Sequence, residues 1–186
     1  MAQRRSGNSG GNVGKGLVAG LIGGLVASWT MNQFQALWAK VTESTDSTQG
    51  GDSSKRESKG EQQQPDEEQD DATVKAASAI SEAIFDHELT KGEKKVAGPA
   101  VHYAFGTAVG GLYGAAAELA PEVTAGAGLP FGAAFWLTAD EAAVPLLGLS
   151  KGPTEYPLST HAYALASHCV YGLTAEVVRR AVRSAL

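Results

Sequence analysis

Histidine and carboxylate side chains recur in apolar stretches of this 186-residue chain. Ionisable groups in such stretches are costly, so they mark functional candidates. The candidate polar residues are His102, Asp140, Glu141, His161, His168 and Glu176. Among these, His161, His168 and Glu176 are spaced seven or eight residues apart, which predicts one face of a helix. Because histidine changes charge near pH ~6.5, such a set is suited to sensing or relaying protons.

A glycine recurs at every fourth residue between His102 and Glu118. In a helix Gly106, Gly110 and Gly114 share one face, and small residues let helices approach closely within a bilayer. The same spacing recurs earlier in the chain at Gly16, Gly20 and Gly24. The pattern predicts a packing seam between two helices. The end groups His102 and Glu118 have two interpretations, as anchors at the membrane surface or as members of a polar path through a bundle.

No established catalytic motif accompanies these residues. The sequence has no Gly-rich phosphate loop, no HExxH and no GxSxG. Ser159 and Thr160 precede His161, but adjacent residues of a helix point apart, which argues against a hydrolase. The single cysteine, Cys169, excludes an intrachain disulfide. We therefore predict that the protein is not an enzyme and uses no cofactor or metal.

The net charge of −5 belongs to one segment of the chain. Residues 41–95 carry fourteen acidic and seven basic residues, whereas the remainder carries six acidic and eight basic ones. The acidic balance is therefore a property of a loop, and we expect no nucleic-acid partner.

Apolar runs predict an integral membrane four-helix bundle of the all-α class. Residues 1–15 are expected to form a disordered basic tail and residues 16–40 a first transmembrane helix, since about 20 residues cross the hydrocarbon core. A cleaved signal peptide ending near Ser28 is the rival interpretation. Residues 41–72 are predicted to be a disordered acidic loop and residues 73–95 an amphipathic juxtamembrane helix.

Transmembrane helices 2–4 are expected within residues 96–186. Thr90 and Glu93 fit a capping box before the second helix, which should end between Glu118 and Pro121. The third run is interrupted at Asp140, Glu141 and Pro145, and the fourth starts at Leu158. Basic residues near both chain ends predict that both termini are cytoplasmic.

A short internal repeat suggests two tandem helical hairpins. Tyr113-Gly114 is followed by Glu118, and Tyr171-Gly172 is followed by Glu176. Each set lies near the same end of its helix, as expected for a duplicated hairpin.

Several motifs together resemble the YagU-like inner-membrane proteins. They are "YGAAAE", "GLPFGAAF", "PLLGL" and "AEVVRRAVR", together with His102 and His168, and the resemblance covers residues 101–183. It implies a bacterial inner-membrane protein without a settled activity, linked to acid tolerance, in which His102, His168 and Glu176 are the residues to carry over. Asp140 stands where the family pattern has a histidine, so a proton-handling role does not transfer directly.

Three functions follow as hypotheses. The first is a multi-pass inner-membrane protein in membrane or acid-stress physiology that catalyses no reaction. The second is a small proton-linked transporter or channel that uses His102, His168 and Glu176. The third is an accessory subunit of another membrane complex. The lipid bilayer is the expected partner, and the glycine seams offer contacts for a homo-oligomer or a membrane protein partner.

Overall fold

The part of the chain that the structure describes is mostly helical. A computed structural model describes residues 11–48 and 71–186, and within these ranges it contains helices and no strand. The α-helices are α1 (Val13–Thr48), α2 (Ala72–Phe85), α3 (Lys91–Leu119), α4 (Leu129–Thr138), α5 (Val144–Leu146) and α6 (Leu158–Ala185). The other helical segments are a 3-10 connector (Pro121–Gly128), a π-helical turn (Ala139–Ala143) and a 3-10 turn (Pro153–Glu155). The predicted all-α class is confirmed for the described residues.

Helix α1 packs against α3 along the predicted glycine seam. A methyl group on Gly24 would lie 2.5 Å from the carbonyl oxygen of Gly106, and one on Gly16 would lie 2.5 Å from the carbonyl oxygen of Gly114. Between these two contacts, a methyl group on Gly110 would lie 2.6 Å from the carbonyl oxygen of Gly20. The residue numbers run in opposite directions, so the helices are antiparallel. Such contacts exclude any side chain and confirm that the glycines are a seam between backbones.

A second seam joins α4 to α6. A methyl group on Gly172 would lie 2.7 Å from the backbone nitrogen of Gly132, and one on Gly128 would lie 2.9 Å from Cβ of Glu176. Helix α1 also contacts α6, because a methyl group on Gly23 would lie 2.8 Å from the carbonyl oxygen of Ala175. Helix α1 is therefore packed against both α3 and α6.

The two seams are built alike, which gives the short internal repeat a structural counterpart. Gly16 on α1 packs against the turn of α3 that holds Glu118, and Gly128 packs against the turn of α6 that holds Glu176. In each case the second helix of the pair is the one that contains the repeated Tyr-Gly. Both pairs, α1 with α3 and α4 with α6, are antiparallel, although α4 has ten residues and α1 has thirty-six.

Large aliphatic side chains lie mainly on the outside of the bundle, whereas its interior combines glycine, alanine and serine with a few large side chains, chiefly Tyr113, Tyr171 and Met31. Ala19 and Ala27 of α1 are fully buried, as are Ser28, Ser167 and Glu176 to within about one per cent. Exposed large apolar residues of α1, α3, α4 and α6 include Val18, Ile22, Leu25, Trp29, Phe105, Leu112, Leu137, Leu173 and Val177. In water-soluble domains large aliphatic residues of this kind mostly fill the interior.

One helical stretch in the described ranges, Val13–Thr42, is long and apolar enough to cross a membrane, with a mean hydropathy of 1.3. The other three predicted spans are shorter or more polar. Helix α4 ends after ten residues at the π turn, α3 opens with Lys91–Lys95, and α6 carries its arginines in its last turns.

Two boundaries differ from the sequence prediction. Helix α1 continues to Thr48, so residues 41–48 of the predicted loop are helical, while the rest of that loop up to residue 70 and the first ten residues of the basic tail lie outside the described residues. The predicted helix 73–95 is two elements. Helix α2 stops at Phe85, because the next residue, Asp86, takes a left-handed backbone conformation (φ 49°). The Asp86 N–H donates to the carbonyl of Glu82 and so satisfies one of the free carbonyls at the end of α2.

The start of α3 agrees with the sequence. The Thr90 hydroxyl accepts a hydrogen bond from the Glu93 backbone N–H, and the Glu93 carboxylate accepts one from the Thr90 N–H at 2.8 Å. Pro99 lies inside the helix, which runs on to Leu119. Helix α2 packs against these first turns at Gly98, where Val74 and Thr73 fill the space that a side chain would need.

Candidate functional site

One end of the bundle holds a buried carboxylate surrounded by donors. The side chain of Glu176 is 1% exposed and accepts hydrogen bonds from Arg179, at 2.7 Å from Nε and 2.9 Å from Nη2. Arg180 donates to the same carboxylate through Nε, and the Tyr113 hydroxyl donates to it across the bundle at 2.9 Å. The arginines are three and four residues along α6 from Glu176, so the helix itself brings them together.

A second ion pair lies at the same end. Arg183 of α6 donates to Glu118 of α3 at 2.6 and 3.1 Å. Lys15, near the start of α1, donates to the backbone carbonyl of Leu186 at 2.5 Å. The start of α1, the end of α3 and the end of α6 therefore meet here. We call Glu118, Glu176, Arg179, Arg180 and Arg183 the arginine cluster.

The opposite end of the bundle holds two histidine–carboxylate pairs. His161 Nδ1 lies 2.6 Å from Glu141 Oε1, and His168 Nδ1 lies 3.6 Å from Asp140 Oδ2. His168 is buried, and its Nδ1–H also donates to the carbonyl of Ala164 at 2.9 Å. We call Asp140, Glu141, His161 and His168 the histidine cluster.

The geometry around His161 favours the charged imidazolium. Its second ring nitrogen, Nε2, lies 2.9 Å from the carbonyl oxygen of Pro153, while Nδ1 faces the Glu141 carboxylate. Both neighbours are acceptors, and a neutral imidazole carries only one N–H donor. Only the protonated ring donates to both. In that form His161 ties the π turn, the loop before α6 and α6 itself together.

Asp140 and Glu141, which face two different histidines of α6, lie in a π turn. The N–H of Val144 bonds to the carbonyl of Ala139, five residues back. Pro145 follows directly, and because it has no N–H and its ring crowds the carbonyl four residues earlier, the backbone widens there. In a regular helix Asp140 and Glu141 would point about 100° apart. Such π turns are frequent at functional sites.

Aromatic rings fill the space between the two clusters. The ring of His168 packs edge-on against Phe135 at 5.1 Å, Phe135 lies 6.3 Å from Phe131, and Phe131 stacks on Tyr113 at 4.0 Å. Tyr171 packs beside both phenylalanines and donates its hydroxyl to the carbonyl of Gly106 at 2.5 Å. The stack runs from the histidine cluster to the tyrosine that holds Glu176, and its phenylalanine rings carry no exchangeable proton.

The six predicted residues therefore separate into three places. Asp140, Glu141, His161 and His168 form the histidine cluster, and Glu176 belongs to the arginine cluster. His102 joins neither by a hydrogen bond: its Nε2 is buried without a partner among the described residues, and its ring packs edge-on against Tyr103 at 5.6 Å. His168 and Glu176 share a helix but face different partners.

Three residues that bind Glu176 were not predicted as site residues. Tyr113 supplies a hydrogen bond to Glu176, and Arg179, which is almost fully buried, and Arg180 both form ion pairs with its carboxylate. The signals were present in the sequence: Tyr113 belongs to the repeated Tyr-Gly pair, and the Glu-x-x-Arg-Arg spacing predicts ion pairs on one helix face. In the described ranges no three His, Cys, Asp or Glu side chains are arranged to hold a metal ion.

Comparison with protein families gives one match. The model of a family described as protein of unknown function (DUF1440) matches residues 57–177, more than half of the chain. The chain belongs to the DUF1440 family. The match ends just beyond Glu176, so the histidine cluster, Tyr113 and Glu176 all lie within the DUF1440 region, whereas α1 precedes it. No curated protein and no solved structure matches the chain.

Proposed function

We propose that the protein is a multi-pass membrane protein that crosses the bilayer four times and catalyses no reaction. The spans are α1, α3, the unit from α4 to α5, and α6. The observation that carries this proposal is the distribution of side chains, with many large aliphatic residues exposed on the outside and glycine, alanine, serine, two tyrosines and a buried ion-pair cluster inside. Lipid accepts such an exterior, whereas water would drive it to aggregate.

The orientation follows from charge. Lys15, Arg180 and Arg183 lie at the end of the bundle where α1 begins and α6 ends. Basic residues beside spans favour the cytoplasmic side, and the lysines at the other end, Lys91, Lys94 and Lys95, adjoin a long segment of the kind that translocates largely regardless of charge. On this basis we propose that the arginine end faces the cytoplasm and the histidine cluster faces outward. Aromatic side chains support the outer boundary, because Trp38 of α1 contacts Tyr163 of α6 (ring centroids 5.8 Å apart) at the other end of the bundle.

Cysteine labelling in intact cells tests this topology. In a Cys169→Ala background, Thr154→Cys introduces an exposed thiol before α6 and Ser184→Cys introduces one near its end. We expect a membrane-impermeant maleimide to label position 154 in intact cells and position 184 only after permeabilisation. Equal labelling of the two positions in intact cells would refute an odd number of crossings between them, and with it the proposed bundle orientation.

We further propose that the protein acts in bacterial inner-membrane physiology under acid stress. The resemblance to the YagU-like proteins implies this role, and the two acceptors around His161 support it independently. Acidification fills both acceptors with N–H donors and so tightens the outward-facing end. Survival of a deletion strain at acid pH, complemented with the native chain or with His161→Ala, tests the role. Equal survival of the strains with and without the native chain would refute it.

Proton transport is the second candidate function. The buried His168 beside Asp140 and the unpartnered Nε2 of His102 favour it. The aromatic stack opposes it, because rings of Phe131 and Phe135 separate His168 from Glu176. These two rings offer no site to a proton moving between the two clusters.

Flux in liposomes separates the two candidates. We expect the purified native protein to give no proton flux above that of empty liposomes between pH 7 and pH 5. Flux that disappears in the variant with alanine at His102, His168 and Glu176 would establish transport instead. Because Glu176→Ala also removes a buried ion pair, His168→Ala alone is the matched variant that preserves the arginine cluster. Absence of flux together with co-purification of one dominant membrane protein would assign an accessory role.

A further inference from the structure

We propose that the exposed, lipid-facing surface of α6 beside the arginine cluster, at the cytoplasmic end of the bundle, binds the phosphate of an anionic phospholipid. This inference rests on the proposed membrane location. Exposed side chains at Leu173, Val177, Arg180 and Ser184 recur at intervals of three and four residues, so they form one stripe along the helix. The stripe is apolar toward the middle of the bundle and polar at its cytoplasmic end. A phospholipid has the same order, with acyl chains followed by phosphate.

The charge at the cytoplasmic end of this stripe is positive. Two guanidinium groups, those of Arg179 and Arg180, converge on the single carboxylate of Glu176, so the three side chains together carry one excess positive charge. Arg179 is almost fully buried, whereas the Arg180 side chain is 58% exposed. The excess charge is therefore presented to the surroundings by Arg180.

The guanidinium of Arg180 retains donors for a ligand. Its hydrogen bond to Glu176 uses Nε. The Nη groups form a planar fork, which matches the geometry of phosphate oxygens. Because Glu176 fixes the Nε edge, the fork is held in place on the lipid-facing side. A pre-oriented arginine loses less conformational freedom on binding than a free one does.

The charges of the neighbouring groups agree with an anionic ligand. Arg183 and Glu118 neutralise each other, and Lys15 adds a further positive charge at this end of the bundle. Glu122, on the connector between α3 and α4, is the remaining acidic side chain at this end in the described ranges. Basic pockets beside helix ends on the cytoplasmic side are a general mode of binding anionic lipid headgroups.

Native mass spectrometry of the full chain in detergent tests the proposal. The probes are phosphatidylglycerol and phosphatidylcholine with identical acyl chains. We expect preferential binding of phosphatidylglycerol, with the preference reduced about fivefold in Arg180→Ala, since one surface charge contributes on the order of 1 kcal/mol to such binding. Lys151→Gln, which removes a positive charge from the opposite end of the bundle, is the matched control and should leave the preference unchanged.

The competing outcomes are distinguishable. Equal binding of both lipids, or an unchanged preference in Arg180→Ala, overturns the proposal. Displacement of phosphatidylglycerol by inorganic phosphate at the same concentration would show that the site recognises free phosphate and not lipid. Arg180→Lys keeps the charge but loses the fork, so partial retention of the preference is expected. The labelling at positions 154 and 184 reports on the membrane topology separately, so that failure of this site leaves the proposed function standing.

Discussion

The two ends of the bundle pair carboxylates with different cations, and the cation determines how each end responds to pH. At the arginine cluster Glu176 is enclosed by two guanidinium groups and a phenol. At the histidine cluster Glu141 meets the imidazole of His161. A guanidinium stays charged at every physiological pH, whereas an imidazole changes charge near pH ~6.5. One end is therefore a permanent structural clamp, and the other is a contact that acid can tighten.

Burial amplifies this difference. Glu176 is 1% exposed, whereas the side chains of Glu141 and His161 are 15% and 20% exposed. When a buried charge loses its partner, no water molecule takes the partner's place. A guanidinium also cannot become neutral by losing its proton, so the buried charge remains. A partly exposed histidine avoids the same penalty by becoming neutral. The arginine cluster should therefore tolerate mutation far less well than the histidine cluster.

The largest expected effect is the loss of Glu176. Glu176→Ala leaves the buried guanidinium of Arg179 without its carboxylate, which should lower the free energy of unfolding by about 3–5 kcal/mol. Glu141→Ala, the equivalent change at the other end, should cost about 1 kcal/mol, because His161 can lose its proton. Thermal unfolding of both variants in the same detergent at neutral pH measures the difference. Equal losses of stability would contradict the contrast between the two ends.

A smaller effect should depend on pH. His161→Ala removes the hydrogen bonds to Glu141 and Pro153, and the ring makes the two at the same time only while both of its nitrogens carry a proton; the neutral ring keeps one of them. We expect a loss of about 2 kcal/mol at pH 5.5 and about 1 kcal/mol at pH 7.5, since hydrogen bonds to charged groups are the stronger ones. Thermal unfolding of the variant and of the native protein at the two pH values gives both numbers.

The matched control for this measurement lies in the same loop. Tyr156 packs edge-on near His161 at 6.5 Å between ring centroids, and its hydroxyl accepts a hydrogen bond from the Lys151 N–H. Tyr156→Phe removes that contact without removing a histidine, so its effect should be the same at pH 5.5 and pH 7.5. A His161→Ala effect that is likewise independent of pH would show that the ring does not use its second proton.

Local signals in the sequence predicted the parts of the fold that depend on local physics. The capping box at Thr90 and Glu93 gave the start of α3, and the glycine spacing gave the seam with α1. The predicted end of the first helix, at residue 40, was wrong, because α1 continues through polar residues to Thr48. Composition separates apolar from polar segments, but helical hydrogen bonds propagate across that boundary once a helix has formed.

The sequence predicted which residues belong to the candidate site, but it did not predict which of them pair with each other. The sequence indicated the candidate residues, among them Asp140, and one hypothesis made His102, His168 and Glu176 a single relay. The pairing of Asp140 with His168 occurs at a π turn, for which Pro145 is a local signal. The rings that separate His168 from Glu176, Phe131 and Phe135, come from α4, and the packing of α4 against α6 is a tertiary contact that spacing within α6 does not encode.

The smallest expected effect concerns a third histidine–carboxylate pair, which lies on the surface. His87 Nε2 lies 3.2 Å from Glu93 Oε2, and both side chains are about half exposed. The pKa of Glu93 is lowered to about 2, first by the Thr90 backbone N–H, then by the Thr90 hydroxyl and by His87. Because the folded state binds this proton less readily than the unfolded chain does, the stabilisation is complete above the unfolded value of about 4.5 and is lost as the pH falls through about 2.

Glu93→Gln should therefore lower the unfolding temperature slightly, by an amount that is constant from pH 7 to pH 5 and shrinks below pH 4.5. Glu88→Gln, at a nearby exposed position, is the control for loss of one surface charge. The measurement is the difference in unfolding midpoint between each variant and the native protein over pH 7 to pH 3. If the difference in unfolding midpoint between Glu93→Gln and the native protein already shrinks between pH 7 and pH 5, the capping box loses its effect in the same pH range in which histidines change charge. A constant difference would leave the histidine cluster as the origin of any acid response above pH 5, because the other end of the bundle is held by guanidinium groups that do not titrate there.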